Sequence, residues 1–132
     1  MATSDRFVVT PGELTRAFTS KHPGPSWMIS HDDVFKLSPA QKRKLEAIGK
    51  VLCDKADVDA KNVKAAFAAF TAVAEAHPID EQSVLGRIDA LSKAQIVATQ
   101  TIVEAHVAAF AVLDAKQKTQ FDELVRCCAP PP

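Results

Sequence analysis

No stretch of this sequence gathers the roughly 18 apolar side chains in a row that a membrane-spanning helix uses, so direct insertion into a bilayer is not expected. The opening, MATSDRFVVTPGELTR, has neither the basic head nor the apolar core of about 7–15 residues that a secretion signal carries. The expectation is a cytoplasmic chain, or one whose leader or anchor is missing from this sequence. An excess of charge is also missing: 16 basic residues balance 16 acidic ones. Nothing therefore favours a nucleic-acid backbone or an anionic membrane as partner. The four glycines are scattered and build no phosphate-cradling loop. Neither H-E-x-x-H nor G-x-S-x-G occurs, so an enzyme is not expected. Cys53, Cys127 and Cys128 are an odd number without C-x-x-C spacing and cannot all pair in one chain. The adjacent pair could bind a soft metal or link chains, but two sulfurs alone leave zinc short of ligands. The plainer reading makes Cys53 a small helical hydrophobe and leaves Cys127 and Cys128 in a frayed tail.

What the sequence does contain is helix, punctuated clearly. Residues 1–29 read as an irregular leader with one short helix: Thr10 as N-cap, Pro11 at the first position, Glu13 closing a capping box, and an end near Thr19. SKHPGPS then breaks it. Ser30 is expected to cap a short turn, HDDVFK, with aspartates at its positive end. Next come two stretches that resemble each other, LSPAQKRKLEAI at 37–48 and LDAKQKTQFDEL at 113–124. In the first, Ser38 caps, Pro39 follows and Gln41 can return a hydrogen bond to the cap. In the second, Asp114 and Gln117 take those roles. Leu37 and Leu113, just before each cap, can pack back on their own helices as staples.

Between the copies, apolar residues recur at Leu45, Ile48, Leu52, Ala56, Val63, Phe67, Phe70 and Ala74 at helical spacing. The aspartates of DKADVDAKN (54–62) compete with helical backbone, yet one long helix to about His77 is expected. Pro78 stops it, Asp80 caps the next, and from Glu81 the spacing resumes to Leu113. A four-residue connection folds this second arm back antiparallel, each arm being roughly 50 Å long. Positions whose numbers sum to about 157 should face each other: Leu45 near Val112, Leu52 near Ala105, Phe67 near Ala90 and Leu91. A last helix should end near Arg126, with 127–132 unravelling. The fold expected is all-α: a long antiparallel helical hairpin over 30–126 with short helices at both ends. Two arms cannot bury both their faces in each other, so a surplus apolar face should remain for another chain, a client or the terminal helices.

The twofold L-[ST]-x-x-Q pattern, LSPAQ (37–41) before a long helical hairpin and LDAKQ (113–117) after it, resembles the periplasmic LTxxQ family, which includes CpxP, Spy, ZraP and CnrX. The likeness covers roughly residues 30–126, and Asp114 departs from it by replacing a hydroxyl. It implies a hooked four-helix hairpin that dimerises, and a periplasmic location. It also implies a non-enzymatic role: holding unfolding client proteins, restraining a membrane-bound stress sensor, or sensing metal ions. On this likeness the expected role is a holdase-type chaperone or stress accessory, with a metal-responsive sensor or buffer and a plain helical interaction module as the other readings.

A divalent transition-metal site is one expectation to check. His22 and His77 neighbour prolines in connections and read as solvated. His31 precedes the first motif and His106 the second, so converging motifs could bring the two imidazoles together, with Asp32, Glu46, Cys53 and Glu104 as further donors. Such a mixture suits zinc, nickel or copper. The ligand positions of metal-sensing family members, carried onto this chain, fall on Asp32, Gly49, Ala105 and Ala109, three of which have no side-chain donor.

Overall fold

Proline and capping chemistry set where these helices begin. A computed structural model describes residues 11–128, Pro11 and Cys128 by backbone alone, and its ordered elements are six α-helices: α1 (Pro11–Lys21), α2 (Pro25–Ser30), α3 (Asp32–Phe35), α4 (Pro39–Ala74), α5 (Glu81–Val112) and α6 (Ala115–Cys128). No strand occurs among the described residues. Thr10, the expected cap of α1, lies outside them. α4 starts as its sequence predicts, with Ser38 as N-cap, Pro39 at the first position and a complete capping box with Gln41. It crosses the aspartate-rich 54–62 segment unbroken. Its end at Ala74 comes three residues before His77. α5 begins after Asp80, whose carboxylate accepts from the Ser83 backbone N–H and hydroxyl.

Residues 11–30 hold more order than expected. Gly24 and Pro25 do not merely break α1; Pro25 starts α2 at its first position, because proline needs no N–H there. Ser30 does not cap α3. Its hydroxyl turns back to the Trp27 carbonyl at 2.7 Å, and His31 occupies the cap position without a side-chain bond. Lys36 ends α3 in the left-handed region (φ 53°), which lets the chain turn into Leu37. At the other end, α6 reaches Cys128 rather than Arg126, so Cys127 is helical and exposed; residues 129–132 lie outside the described segment.

α4 and α5, about 54 and 48 Å long at 1.5 Å per residue, pack closely along each other. Gln41 reaches the Val112 carbonyl while Asp59 meets Thr101, so low numbers on α4 lie beside high numbers on α5. Leu52 and Ala105 line one cavity, as their sum anticipates. Phe67 departs from expectation: it is 56% exposed, and the half-buried residues of α4 follow Val63, Ala66, Phe70 and Val73 instead.

Full burial is concentrated at one end of the pair. There α2, α3 and α6 gather around Met28, Phe35, Leu37, Leu45, Ala109, Leu113 and Phe121. Phe121 sits at the centre, edge-on to Trp27 (5.4 Å) and Phe110 (5.1 Å) and near-parallel to Phe35 (6.5 Å). Away from this end the pair is thinly covered. α5 is also long and apolar enough, by length and composition, to cross a membrane, and only 11% of that stretch is buried. Counting uninterrupted apolar residues overlooks it, because isoleucines, valines and alanines raise the average around Gln95, Gln100, Glu104 and His106.

Candidate functional site: the meeting of the two repeats

The repeated motif does more than start helices. In each copy the glutamine closes its own capping box: Ser38 N–H donates to Gln41 Oε1 (2.9 Å) and Gln41 N–H to Ser38 Oγ (3.1 Å). Likewise Asp114 N–H donates to Gln117 Oε1 (2.9 Å) and Gln117 N–H to Asp114 Oδ1 (2.8 Å). Each glutamine amide then has an NH₂ left over, and the two motifs meet so that these groups cross. Gln41 Nε2 donates to Gln117 Oε1 at 2.7 Å and to the Val112 carbonyl at 3.1 Å. Gln117 Nε2 donates to Gln41 Oε1 at 3.1 Å and to the Phe35 carbonyl at 3.1 Å. Both side chains thereby use two donors and two acceptor positions, the full capacity of a primary amide. Glutamate could not replace either one, having no N–H to give.

Burial makes this arrangement consequential. Gln117 is only 5% exposed, and an amide removed from water without partners costs a few kcal/mol. Here every atom is met. Leu37 and Leu113, the residues before each cap, are both buried in the shared core rather than serving only their own helices. The Ser/Asp difference between the copies does not disturb the symmetry, since a hydroxyl and a carboxylate oxygen accept from the N3 backbone equally. From sequence, only the local half of this design was visible; the glutamine-to-glutamine bonds need both copies in one place.

Beside the motifs, Asp32 accepts from Leu37 N–H (2.7 Å) and pairs with Lys42 (2.7 Å), tying α3 to the first turn of α4. The Lys42 ammonium, with the Leu37 N–H, holds the Asp32 carboxyl below its usual 3.8. That engagement also occupies the residue named above as a metal donor.

The histidines are placed separately. His31 Nδ1 lies 2.8 Å from the Trp27 carbonyl, with its ring tilted against Trp27 (4.4 Å). His106 Nδ1 lies 2.6 Å from the His22 carbonyl, and its ring covers Gly24 so closely that a Cβ there would sit 2.5 Å from Nε2. Since carbonyls only accept, both rings carry their proton on Nδ1. His106 is thus a latch that holds the α1–α2 connection against α5, with Phe18 stacked on His22 beside it. Cys53 lines the same 280 Å³ cavity as His106, while Glu46 and Glu104 are exposed. Among the described residues, no three His, Cys, Asp or Glu side chains converge in a group able to hold a metal ion.

Compared with protein-family models, with curated proteins and with solved structures, the chain matches none.

Proposed function

We propose that this chain is a non-enzymatic stress-response accessory protein of the LTxxQ type, working as a holdase-type chaperone or as a modulator of a membrane-bound stress sensor in the periplasm. On this reading α4 and α5 are the arms of the hooked hairpin, the crossed glutamines are its clasp, and two copies associate. The observation that carries the role is uncovered apolar surface on a long helix pair: Phe67, Leu85, Ile88 and Ile96 are all substantially exposed. Scattered exposed apolar residues are ordinary, but several large ones left open along two helices among the described residues support a surface that meets other proteins. A buried, fully hydrogen-bonded clasp at one end lets the other end stay thinly packed without the pair falling apart.

The test is suppression of aggregation. Light scattering of a heat-unfolding model enzyme should rise more slowly with an equimolar dose of the protein. Phe67→Asp combined with Leu85→Asp should abolish that protection while leaving the far-UV circular dichroism unchanged. Scattering that rises at the same rate with and without the protein would remove the proposal. The metal-responsive reading has no converged donor group behind it among the described residues, so the chaperone role stands ahead of it.

A further inference from the structure

Among the described residues, one flank of the α4–α5 pair is lined by those two helices alone. Two cavities there, of 330 and 470 Å³, share Lys55 and Thr101 and so form one groove. Its α4 wall steps through Ala47, Val51, Lys55 and Val58, and its α5 wall through Val97, Thr101, Glu104 and Ala108. Both walls keep three-and-four spacing and run for about 16 Å, three turns of helix. Val51, Val58 and Val97 are exposed along it.

Asp59 lines the second of these cavities, at the Val58–Val97 end of the groove, and is only 9% exposed. Its one hydrogen-bond partner among the described residues is Thr101, whose hydroxyl sits 2.7 Å from Oδ2 but also 3.0 Å from the Val97 carbonyl. One proton is therefore divided between two acceptors. Among the described residues the ion pairs are Lys42–Asp32 and Lys93–Asp89, and neither reaches Asp59. No buried side-chain nitrogen or oxygen among them lacks a partner, so Asp59 Oδ1, which has none, is reached by solvent. A carboxylate this little exposed, set between Val58 and Val97 with no ion pair to Lys55 of the same cavity, gains from a cation or further donors that reach it.

We infer that this groove docks an amphipathic helix of a partner protein, its apolar face against Val51, Val58 and Val97 and one Lys or Arg side chain reaching Asp59 Oδ1. Length and spacing fit a helix laid in a groove. Charge selects the partner: Asp54, Asp59 and Glu104 outnumber the single Lys55. The same carboxylates disfavour an anionic lipid surface. A second copy of this chain, packed through the same groove about a twofold axis, would set carboxylate-rich walls against each other. The inference uses only the helix pair and Asp59, and does not rest on the stress-protein role.

The experiment uses a fluorescein-labelled, roughly 18-residue amphipathic helical peptide with one central lysine on its apolar face, and the same peptide with norleucine there. Fluorescence anisotropy with the full chain should show the lysine peptide bound at least about tenfold tighter, the discrimination expected of a buried charge-assisted hydrogen bond. Asp59→Asn, which keeps the shape, should bind both peptides equally. Val58→Glu, at an exposed rim position, should bind neither. Equal affinity of the unaltered chain for both peptides, or a lysine preference that survives Asp59→Asn, overturns the inference. So does binding to phosphatidylglycerol vesicles, or a dimer in sedimentation, that is lost in Val58→Glu, since either would give the groove to lipid or to a second copy.

Discussion

Replacing Gln117 by alanine removes four hydrogen bonds at once and leaves named groups behind. The Phe35 carbonyl loses its Gln117 donor in a buried position, Asp114 N–H loses its cap acceptor, and the Gln41 amide loses a partner on each side. A buried polar group left alone costs about 1–3 kcal/mol. The Phe35 carbonyl should come near the upper part of that range, while water reaches the part-buried Asp114 N–H and Gln41 amide and lowers their cost. The sum is about 3–4 kcal/mol, a large share of the roughly 5–15 kcal/mol that holds a domain together. For a chain of this length that corresponds to a melting temperature lower by about 10–15 °C. Gln41→Ala, at the half-buried partner, should cost about 2 kcal/mol. Because the two amides bond each other, the double variant should cost less than the sum by at least about 1 kcal/mol. Urea unfolding followed by Trp27 fluorescence is the assay: Trp27 is the single tryptophan and packs on Phe121 beside the clasp. Additive effects within about 0.5 kcal/mol, or a Gln117→Ala midpoint close to the unaltered chain, would refute the reasoning.

Three other expectations follow from separate places in the fold. Phe121→Ala empties the centre of the aromatic cluster and should cost about 3–5 kcal/mol, with Trp27 emission moving to longer wavelength as water enters. Gly24→Ala places a Cβ 2.5 Å from His106 Nε2, so the ring must leave the His22 carbonyl; the loss, about 1–3 kcal/mol, should shrink by more than half in a His106→Ala background when both are measured by thermal melting. Asp32 has a folded-state carboxyl below 3.8, held there by Lys42 and Leu37 N–H, so its contribution is complete above that pH and is lost as pH falls through the lowered folded value; Asp32→Asn should flatten the acid limb of a stability–pH curve and leave the alkaline limb unchanged.

The helix boundaries were legible wherever a local signal decided them. Ser38-Pro39-Gln41 and Asp80 mark helix starts by chemistry confined to one turn, and the structure begins α4 and α5 there. The aspartates at 54–62 did not break α4, because packing along α5 outweighs the modest propensity cost of each. Local signals failed where tertiary contact decided. Pro25 served as a helix start instead of a breaker once α2 could pack on α4 and α5. Phe67 lost the seam to Ala66, a rotation of the buried face that periodicity alone could not place. The crossed glutamines needed two segments about 76 residues apart to be neighbours, which a repeat can suggest but cannot measure. Asp59, inside a segment that looked merely weak, gained its interest only when Thr101 proved to be its one side-chain partner among the described residues.

The central claim is that the two repeated motifs meet and clasp through their side-chain amides. Nuclear Overhauser contacts among the side-chain amide protons of Gln41 and Gln117 in the full chain test it most directly. The account predicts cross-peaks between the two amides, with protons that exchange slowly with water. Sharp, rapidly exchanging amide signals for both glutamines, without a contact between them, would contradict it.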